Sequence, residues 1–278
     1  MKIRIKFAKY GVMKFIGHLD VMRFFQKAIR RADIDIRFSE GFSPHPVMSF
    51  AAPLGVGMES MGEYLDIEVN SMTSAEEMKN ALNREMTEGI FVLSVSVLPD
   101  TAKNAMASVA AAKYQIFADW AFLESGVDPE TETAAVSGFS IEEAREKLAA
   151  FYAGEHMMVM KKTKKGEREL DLKPGIFSLD IQEVPDPFQD DAQRYPAITM
   201  LVDASSSGNI KPSMVFEAFC GACGAVPAPY SYRIIRIDTL MNLAKEGEAP
   251  AFVPLDYCRE PDSSAPGRPE EELPGEVS

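Results

Sequence analysis

The amino-terminal third of the chain alternates apolar and polar residues in the manner of a small mixed sheet. Ile3, Ile5 and Phe7 lie between cations, which predicts a half-buried strand at residues 2–10. The elements predicted next are a helix from Gly17 to Ala32, extended segments at 34–38 and 47–54, a strand at 63–69, a helix from Ser74 to about Gly89 and a strand at 91–98. This β-α-β-β-α-β order predicts a ferredoxin-like unit over residues 1–98.

The same order of elements recurs over residues 113–245, after a small-residue linker at 99–112. The pattern predicts helices at 140–152 and 212–220 and strands at 113–120, 156–162, 177–184, 197–203 and 232–241. We therefore expect an α+β fold of two ferredoxin-like units in tandem, with an extended central hairpin. Residues 246–278 are rich in proline and acids, which predicts a disordered tail.

Composition and charge are those of a soluble globular protein with an uneven charge distribution. Of the 278 residues, 46% are hydrophobic and 26% are charged, and no apolar run is long enough for a transmembrane helix. The first residues lack the apolar core of a signal peptide and the cysteines number three, so a cytoplasmic location is expected. The net charge is −13, yet residues 1–37 hold ten lysines and arginines against three aspartates. A local basic surface can bind phosphates even on an acidic protein.

The helix predicted at Gly17–Ala32 is amphipathic. Its apolar arc consists of Val21, Met22, Phe25, Ala28, Ile29 and Ala32. Its polar arc consists of Asp20, Arg23, Gln26, Lys27, Arg30 and Arg31. The four cations of the polar arc are candidates for phosphate binding, and a merely solvated face is an equally good interpretation.

A loop rich in turn-forming residues, Ser39–Pro46, follows this helix. Its two prolines favour extended backbone at the residues before them, which sets the direction of the imidazole in the loop. A neutral imidazole exchanges protons near pH 7, so the candidate acid–base residues are His18, Asp20 and His45. The alternatives are that His18 caps the helix and that His45 packs against the proline-containing loop. The candidate substrate-binding residues of the loop are Ser39, Gly41 and Phe42, with a core anchor as the alternative role of the phenylalanine.

Several linked motifs occur in this region in a fixed order. They are His18-Leu19-Asp20, Arg30-Arg31-Ala32, Ser39-x-Gly41-Phe42-x-Pro44-x-Pro46, Ser49-Phe50-Ala51, Pro53-Leu54-x-Val56-Gly57 and Glu63-Tyr64-Leu65-Asp66. Together they resemble the radical SAM-linked protein family, a bacterial domain of unknown function found beside or fused to a B12-binding-type radical SAM protein. The resemblance runs from about Ile3 to Leu240 and returns at the Arg168–Pro174 segment. It implies a radical SAM partner that carries the iron–sulfur cluster and S-adenosylmethionine.

The cysteines and the second basic segment refine this expectation. The chain lacks the three-cysteine CxxxCxxC pattern of a radical SAM enzyme, so we expect no cofactor or metal in it. Cys220 and Cys223 have CxxC spacing but too few further ligands for zinc or an iron–sulfur cluster, which favours a structural role. Residues 161–168 predict a basic hairpin with Gly166 at its turn. Its candidate phosphate-binding residues are Lys165 and Arg168, with Lys173 beyond it, and a solvated hairpin is equally probable.

The leading hypothesis is an accessory protein that presents an RNA or a ribosome-related substrate to a radical SAM partner. One alternative is a metal-independent RNA-processing or RNA-modifying enzyme with His18 and His45 as base and acid. The other is a non-catalytic RNA-binding scaffold. All three depend on the basic helix and the proline-flanked loop meeting in space.

Overall fold

The protein is a mixed α+β structure built on one large, mostly antiparallel sheet. The computed structural model describes residues 1–120, 123–125, 140–163, 166–189, 192–227 and 230–257. The helices in this part of the chain are α1 (His18–Arg31), α2 (Ala75–Arg84), α3 (Ala105–Ser108), α4 (Ile141–Ala153) and α5 (Pro212–Ala222). No helix of the described residues is long and apolar enough to cross a membrane.

Within the described residues, nine strands form the main sheet and four form two small separate pairs. The strands are β1 (Lys2–Lys9), β2 (Met48–Phe50), β3 (Glu59–Glu68), β4 (Ile90–Leu98), β5 (Ala111–Ala118), β6 (Leu123–Ser125), β7 (Met158–Thr163), β8 (Gly166–Asp171), β9 (Ile176–Pro185), β10 (Arg194–Asp203), β11 (Ala225–Pro227), β12 (Tyr232–Asn242) and β13 (Phe252–Pro254). The order in the main sheet is β4-β1-β3-β12-β5-β10-β9, with β2 added to β3 and β13 added to β12. The separate pairs are β6 with β11 and β7 with β8.

The first half of the sheet buries one face against α1 and α2. Strand β1 lies between β3 and β4, and its apolar residues Ile3, Ile5 and Phe7 are at most 1% exposed. They pack against the apolar arc of α1, where Phe25 is fully buried, and this arc is the one predicted. Burial of each such side chain contributes about 1.5–3 kcal/mol, so the alternation in β1 and the helical spacing in α1 together define this core.

The second half repeats this layering with α4 and α5. Strand β5 lies between β12 and β10, and the core beneath it includes Leu148 of α4 and Phe216 and Phe219 of α5. The predicted capping box is present, because the Ser140 side chain accepts from the Glu143 N–H and the Glu143 side chain accepts from the Ser140 N–H. Helix α4 therefore begins where the sequence indicated.

The two halves join along a short parallel contact between β3 and β12. Ile235 lies opposite Glu59 and Arg236 opposite Ser60, whereas all other pairings in the sheet are antiparallel. The approach is close: a Cβ added to Gly62 would lie 2.4 Å from the Asp238 Cα atom. Glycine at this position therefore permits the continuous sheet.

Several predicted elements differ in extent. Residues 34–38 form only isolated bridges, Ile36 with Val69 and Phe38 with Pro46, and the extended segment predicted at 47–54 is regular only in β2. Helix α2 ends at Arg84, five residues before the predicted end at Gly89. The linker predicted at 99–112 contains α3 and the start of β5.

The prediction of a disordered tail from residue 246 is wrong for residues 246–257. Strand β13 pairs with the end of β12, and Leu255 is 1% exposed in a small core with Tyr64. The Leu255 carbonyl also accepts a hydrogen bond of 2.7 Å from the buried Arg4 guanidinium. Apolar burial and this hydrogen bond offset the entropy lost when residues 246–257 become ordered. The composition of the segment, which is rich in proline and acids, had predicted that this loss would not be offset. The rest of the predicted tail, 258–278, lies outside the described residues.

Candidate nucleic-acid interface

The cations of α1 fall into two groups in the structure. Arg31 donates to the Glu85 carboxylate at 2.7 Å and to the Glu85 carbonyl at 3.0 Å, so it ties α1 to the end of α2. Arg23 pairs with Asp20 at 3.4 Å, and both side chains are more than 60% exposed, so solvent screens this pair. Lys27 and Arg30 are exposed and form no ion pair with any residue in the described part of the chain. Of the predicted phosphate-binding cations of the helix, these two are left available.

A groove of about 740 Å³ brings Lys27 and Arg30 together with the start and end of the loop. Its lining residues are Gln26, Lys27, Ile29, Arg30, Asp33, Ile34, Asp35, Ile36, Phe38 and Pro46. Phe38 is 52% exposed and faces the groove beside Pro46, to which it is bridged. The groove also holds two carboxylates, Asp33 and Asp35, and hydrogen bonds from Asn70 and Ser71 lower the pKa of Asp35 and so favour its charged form. The basic helix and the proline-flanked loop therefore meet in space.

The loop itself is held closed by its own polar groups. The Ser39 N–H donates to the His45 carbonyl at 2.8 Å, and the His45 N–H donates to the Ser39 hydroxyl at 3.1 Å. The His45 Nδ1 atom lies 2.9 Å from the same hydroxyl. Gly41 has a φ of 113°, which only glycine adopts at little cost, and this turn leaves Phe42 fully exposed. The interpretation of Phe42 as a core anchor is therefore wrong, because the loop tip projects away from the core.

The two candidate imidazoles lie in different parts of this surface. The His18 ring meets the Phe50 ring edge-on with 5.1 Å between centroids, at the start of α1. His45 is exposed in the loop, and the chain from Pro46 to Phe50 runs extended beside β3. Five extended residues span roughly 16 Å, so the structure does not bring the two imidazoles together as one acid–base pair. The helix N-cap is Gly17 and makes no side-chain cap, so the capping role considered for His18 is also wrong.

The second basic segment forms the predicted hairpin. Strands β7 and β8 pair from Met158 opposite Asp171 to Thr163 opposite Gly166. Arg168 is exposed, and Lys165 lies outside the described residues. Lys173 donates to the Tyr152 carbonyl, and its ammonium lies 3.9 Å from the centre of the Tyr152 ring. Lys173 therefore holds the end of α4, and its role in phosphate binding stays a prediction.

A buried polar cluster, which was not predicted from the sequence, lies at the junction of the two halves. Arg236 is 6% exposed and donates to both Glu63 carboxylate oxygens, at 2.9 and 3.1 Å, and to the Tyr114 hydroxyl at 3.1 Å. Burial alone would lower the pKa of Arg236, but Glu63 and Tyr114 outweigh it and the pKa is raised. Lys9 is 2% exposed, and burial lowers the pKa of its ammonium although Glu63 opposes the shift. The available signal was a set of charges on strand residues that the alternating pattern assigns to the core side.

The CxxC pair lies at the end of α5, as the spacing relative to the predicted helix indicated. Cys220 is fully buried, and burial raises the pKa of its thiol to about 12. Burial also raises the pKa of Cys223. Both groups are therefore protonated thiols at neutral pH, which fits the structural role expected for them. Among the described residues there is no cluster of three or more histidine, cysteine or acidic side chains suited to a metal ion.

The protein is thus a mixed α+β fold with a groove beside α1 in which Lys27 and Arg30 form no ion pair with any described residue. Residues 2–212 match the family model described as an uncharacterized protein conserved in bacteria, DUF2344, and the chain belongs to this family. The description names no reaction and no partner, so the resemblance to radical SAM-linked proteins stays a prediction.

Comparisons with individual proteins add little to this assignment. A comparison with curated proteins found no match. Among solved structures, the crystal structure of an unknown protein from Galdieria sulphuraria is similar over 86% of this chain and 98% of that chain, with 12% identity and a TM-score of 0.21. A likeness at this level carries no argument about function.

Proposed function

We propose that the protein binds single-stranded RNA in the groove between α1 and the Ser39–Pro46 loop. The observation that carries the proposal is that the cationic side chains of Lys27 and Arg30 form no ion pair with any described residue and lie beside an exposed aromatic ring. These cations are available although the chain as a whole has a net charge of −13. Cations follow the phosphates of a strand, and a base stacks on an aromatic ring without strong sequence preference. Phe38 supplies the ring in the groove, and Phe42 at the loop tip supplies a second one.

The resemblance to radical SAM-linked proteins supports a more specific role. We propose that the RNA is presented to a radical SAM enzyme, which performs the reaction with its own iron–sulfur cluster and S-adenosylmethionine. The separation of His18 and His45 supports this accessory role over the alternative of a self-contained RNA-processing enzyme, because neither imidazole has the other within reach. Co-purification of the two proteins after co-expression is the expected result. If the two proteins do not co-purify, the result would favour the alternative of a non-catalytic RNA-binding scaffold.

Strand order supports a further structural proposal. We infer that each half of the sheet is a ferredoxin-like unit, since the first half has the order β4-β1-β3-β2 and the second has the order β12-β5-β10-β9. Numbered within each half, both orders are fourth, first, third, second, as in the ferredoxin-like arrangement. In both halves, one helix follows the first of these strands in the chain and precedes the second, and another helix precedes the fourth strand.

RNA binding in the groove is tested by fluorescence anisotropy with a single-stranded RNA of mixed sequence. The double variant Lys27→Gln/Arg30→Gln removes two phosphate contacts, so the slope of log K against log salt should fall by about 1.4, and binding at 0.1 M salt should weaken roughly 25-fold. The matched control is Lys211→Gln/Lys245→Gln, which removes two exposed cations outside the groove.

Two results decide between this groove and nonspecific charge. Phe38→Ala should weaken binding by about 5- to 150-fold with little change in the salt slope, because a stacking contact is lost without a phosphate contact. Equal effects of the groove and control double variants would show that the groove is not the binding surface.

A further inference from the structure

A second cleft lies at the junction of the two halves, away from the groove. It measures about 830 Å³, and its lining includes Lys14, Phe15, Asp119, Trp120, Tyr230 and Arg233. One wall is the 3₁₀ helix Gly11–Phe15, and the other wall is formed by the adjoining ends of β5 and β12. The Gly57 N–H donates to the Lys14 carbonyl at 2.8 Å and fixes the turn before β3 against the 3₁₀ helix. The cleft therefore exists only because the two halves form one sheet.

Two aromatic rings line this cleft and remain open to water. Tyr230 is 98% exposed and Phe15 is 61% exposed. Tyr230 also has a φ of 64°, a left-handed backbone conformation that a residue with a bulky side chain adopts only at a cost. An exposed ring of this kind is able to stack on a flat ligand.

The charged residues that line the cleft are Lys14, Arg233 and Asp119. The Lys14 side chain is three-quarters buried, and its ammonium lies 3.8 Å from a Glu59 carboxylate oxygen and 5.4 Å from the centre of the Phe15 ring. It donates no hydrogen bond to any residue of the described chain. Arg233, by contrast, is held by Glu59 at 3.3 Å and by Asp186. A partly buried ammonium without a hydrogen bond is an available donor for an anionic oxygen. The second cation of the cleft is already occupied.

We propose that this cleft binds one nucleotide unit, with the base stacked on Tyr230 or Phe15 and the phosphate at the Lys14 ammonium. A stacked ring beside a single phosphate contact is the way aromatic and cationic side chains recognise nucleotides without strong base preference. The unit is a free mononucleotide or one nucleotide of an RNA strand, which share this chemistry. The inference goes beyond the proposed RNA groove and does not require it, because it uses different residues.

Binding can be followed through the single tryptophan of the chain, Trp120, which lies in the wall of the cleft. The full-length protein is titrated with each of the four ribonucleoside 5′-monophosphates, and separately with a single-stranded RNA, while tryptophan emission excited at 295 nm is recorded. The variants are Tyr230→Asn, which removes the ring but tolerates the left-handed backbone, and Lys14→Met, which removes the charge and keeps the chain length. The matched control is Tyr257→Asn, an exposed tyrosine outside the cleft.

A saturable change in emission with a mononucleotide, weakened about 5- to 150-fold in Tyr230→Asn and unchanged in Tyr257→Asn, supports the proposal. Lys14→Met should weaken the binding of the mononucleotide and leave the binding of the corresponding nucleoside unchanged. An unfolded variant would lose both, so the comparison distinguishes loss of the phosphate contact from loss of folding. A response to RNA alone, with the same dependence on Tyr230, assigns the unit to a strand.

Two results would overturn the proposal: no saturable response to either ligand, or a response that Tyr230→Asn and Lys14→Met leave unchanged. The groove variant Lys27→Gln/Arg30→Gln should keep its mononucleotide response. Failure of the RNA groove and failure of this cleft therefore give different results.

Discussion

Glu63 is the residue whose loss should destabilise the protein most, because one carboxylate compensates two buried cations. Its oxygens accept from Arg236 at 2.9 and 3.1 Å, and the carboxylate also opposes the lowering of the pKa of Lys9. Glu63→Gln keeps the shape and removes the charge. Since a guanidinium stays protonated, the variant leaves Arg236 charged and unpaired at 6% exposure. Breaking a buried pair in this way costs about 3–5 kcal/mol.

Replacement of Arg236, the second member of the pair, should destabilise the protein less than replacement of Glu63. Arg236→Met leaves Glu63 with Lys9 as its remaining buried cation, so the charge in the junction stays balanced. Adding Arg236→Met to Glu63→Gln should therefore recover part of the lost stability. Since both residues share the hydrogen-bonded network with Tyr114, the two effects should not add.

Urea unfolding of the wild type, both single variants and the double variant measures these differences. For Glu63→Gln, the free energy of unfolding should fall by about 3–5 kcal/mol. In a thermal scan the same loss corresponds to a fall in melting temperature of roughly 6 to 20 °C, at about 2–4 °C per kcal/mol. The control is Glu68→Gln in the same strand, whose pair with Arg37 is 32% and 53% exposed and contributes at most about 1 kcal/mol. If Glu63→Gln is no more destabilising than Glu68→Gln, the junction does not depend on the buried pair.

Two further predictions concern stability. Hydrogen bonds from the Met157 N–H, from His156 and from the Lys173 N–H lower the pKa of Asp171 from 3.8 to about 2. The ionised carboxylate therefore stabilises the fold fully above about pH 4, and this stabilisation is lost as the pH falls through about 2. NMR titration of the carboxyl group should find this pKa, and a value near 3.8 would contradict the prediction. Gly89 has a φ of 89°, and an added Cβ would lie 2.6 Å from the Met13 Cγ atom, so Gly89→Ala should cost more than about 1 kcal/mol in urea unfolding. Gly221→Ala, in α5 with nothing within 4 Å, should instead stabilise by up to about 1 kcal/mol, and equal effects would refute the argument.

The elements with a local signature were predictable from the sequence. The buried face of α1 follows from spacing alone, and Ser140 with Glu143 marks the start of α4 through side-chain chemistry that involves only neighbours. The basic groove was predictable in part, because Lys27 and Arg30 lie on the exposed face of a helix next to a turn-rich loop.

Features that depend on distant parts of the chain were not predictable. The parallel contact of β3 with β12 pairs residues about 175 positions apart and leaves no periodic trace in either strand. Arg31 could not be distinguished from Arg30, since only the fold places Glu85 beside one of them. For the same reason composition alone misassigned Leu255, whose burial requires β12, Tyr64 and Arg4 to be in place.

The placement of α1 relates the two candidate ligand sites to each other. Lys14 and Phe15 lie just before α1, and Lys27 and Arg30 lie nine and twelve residues after its first residue, which is roughly 14–18 Å along the helix axis. Arg23 lies between them on the exposed face, in a solvent-screened pair that a phosphate can replace at little cost. The exposed face of α1 therefore carries three cations along its length, Arg23, Lys27 and Arg30. The cleft itself requires both halves of the sheet, because its walls are the 3₁₀ helix of the first half and the adjoining ends of β5 and β12 in the second.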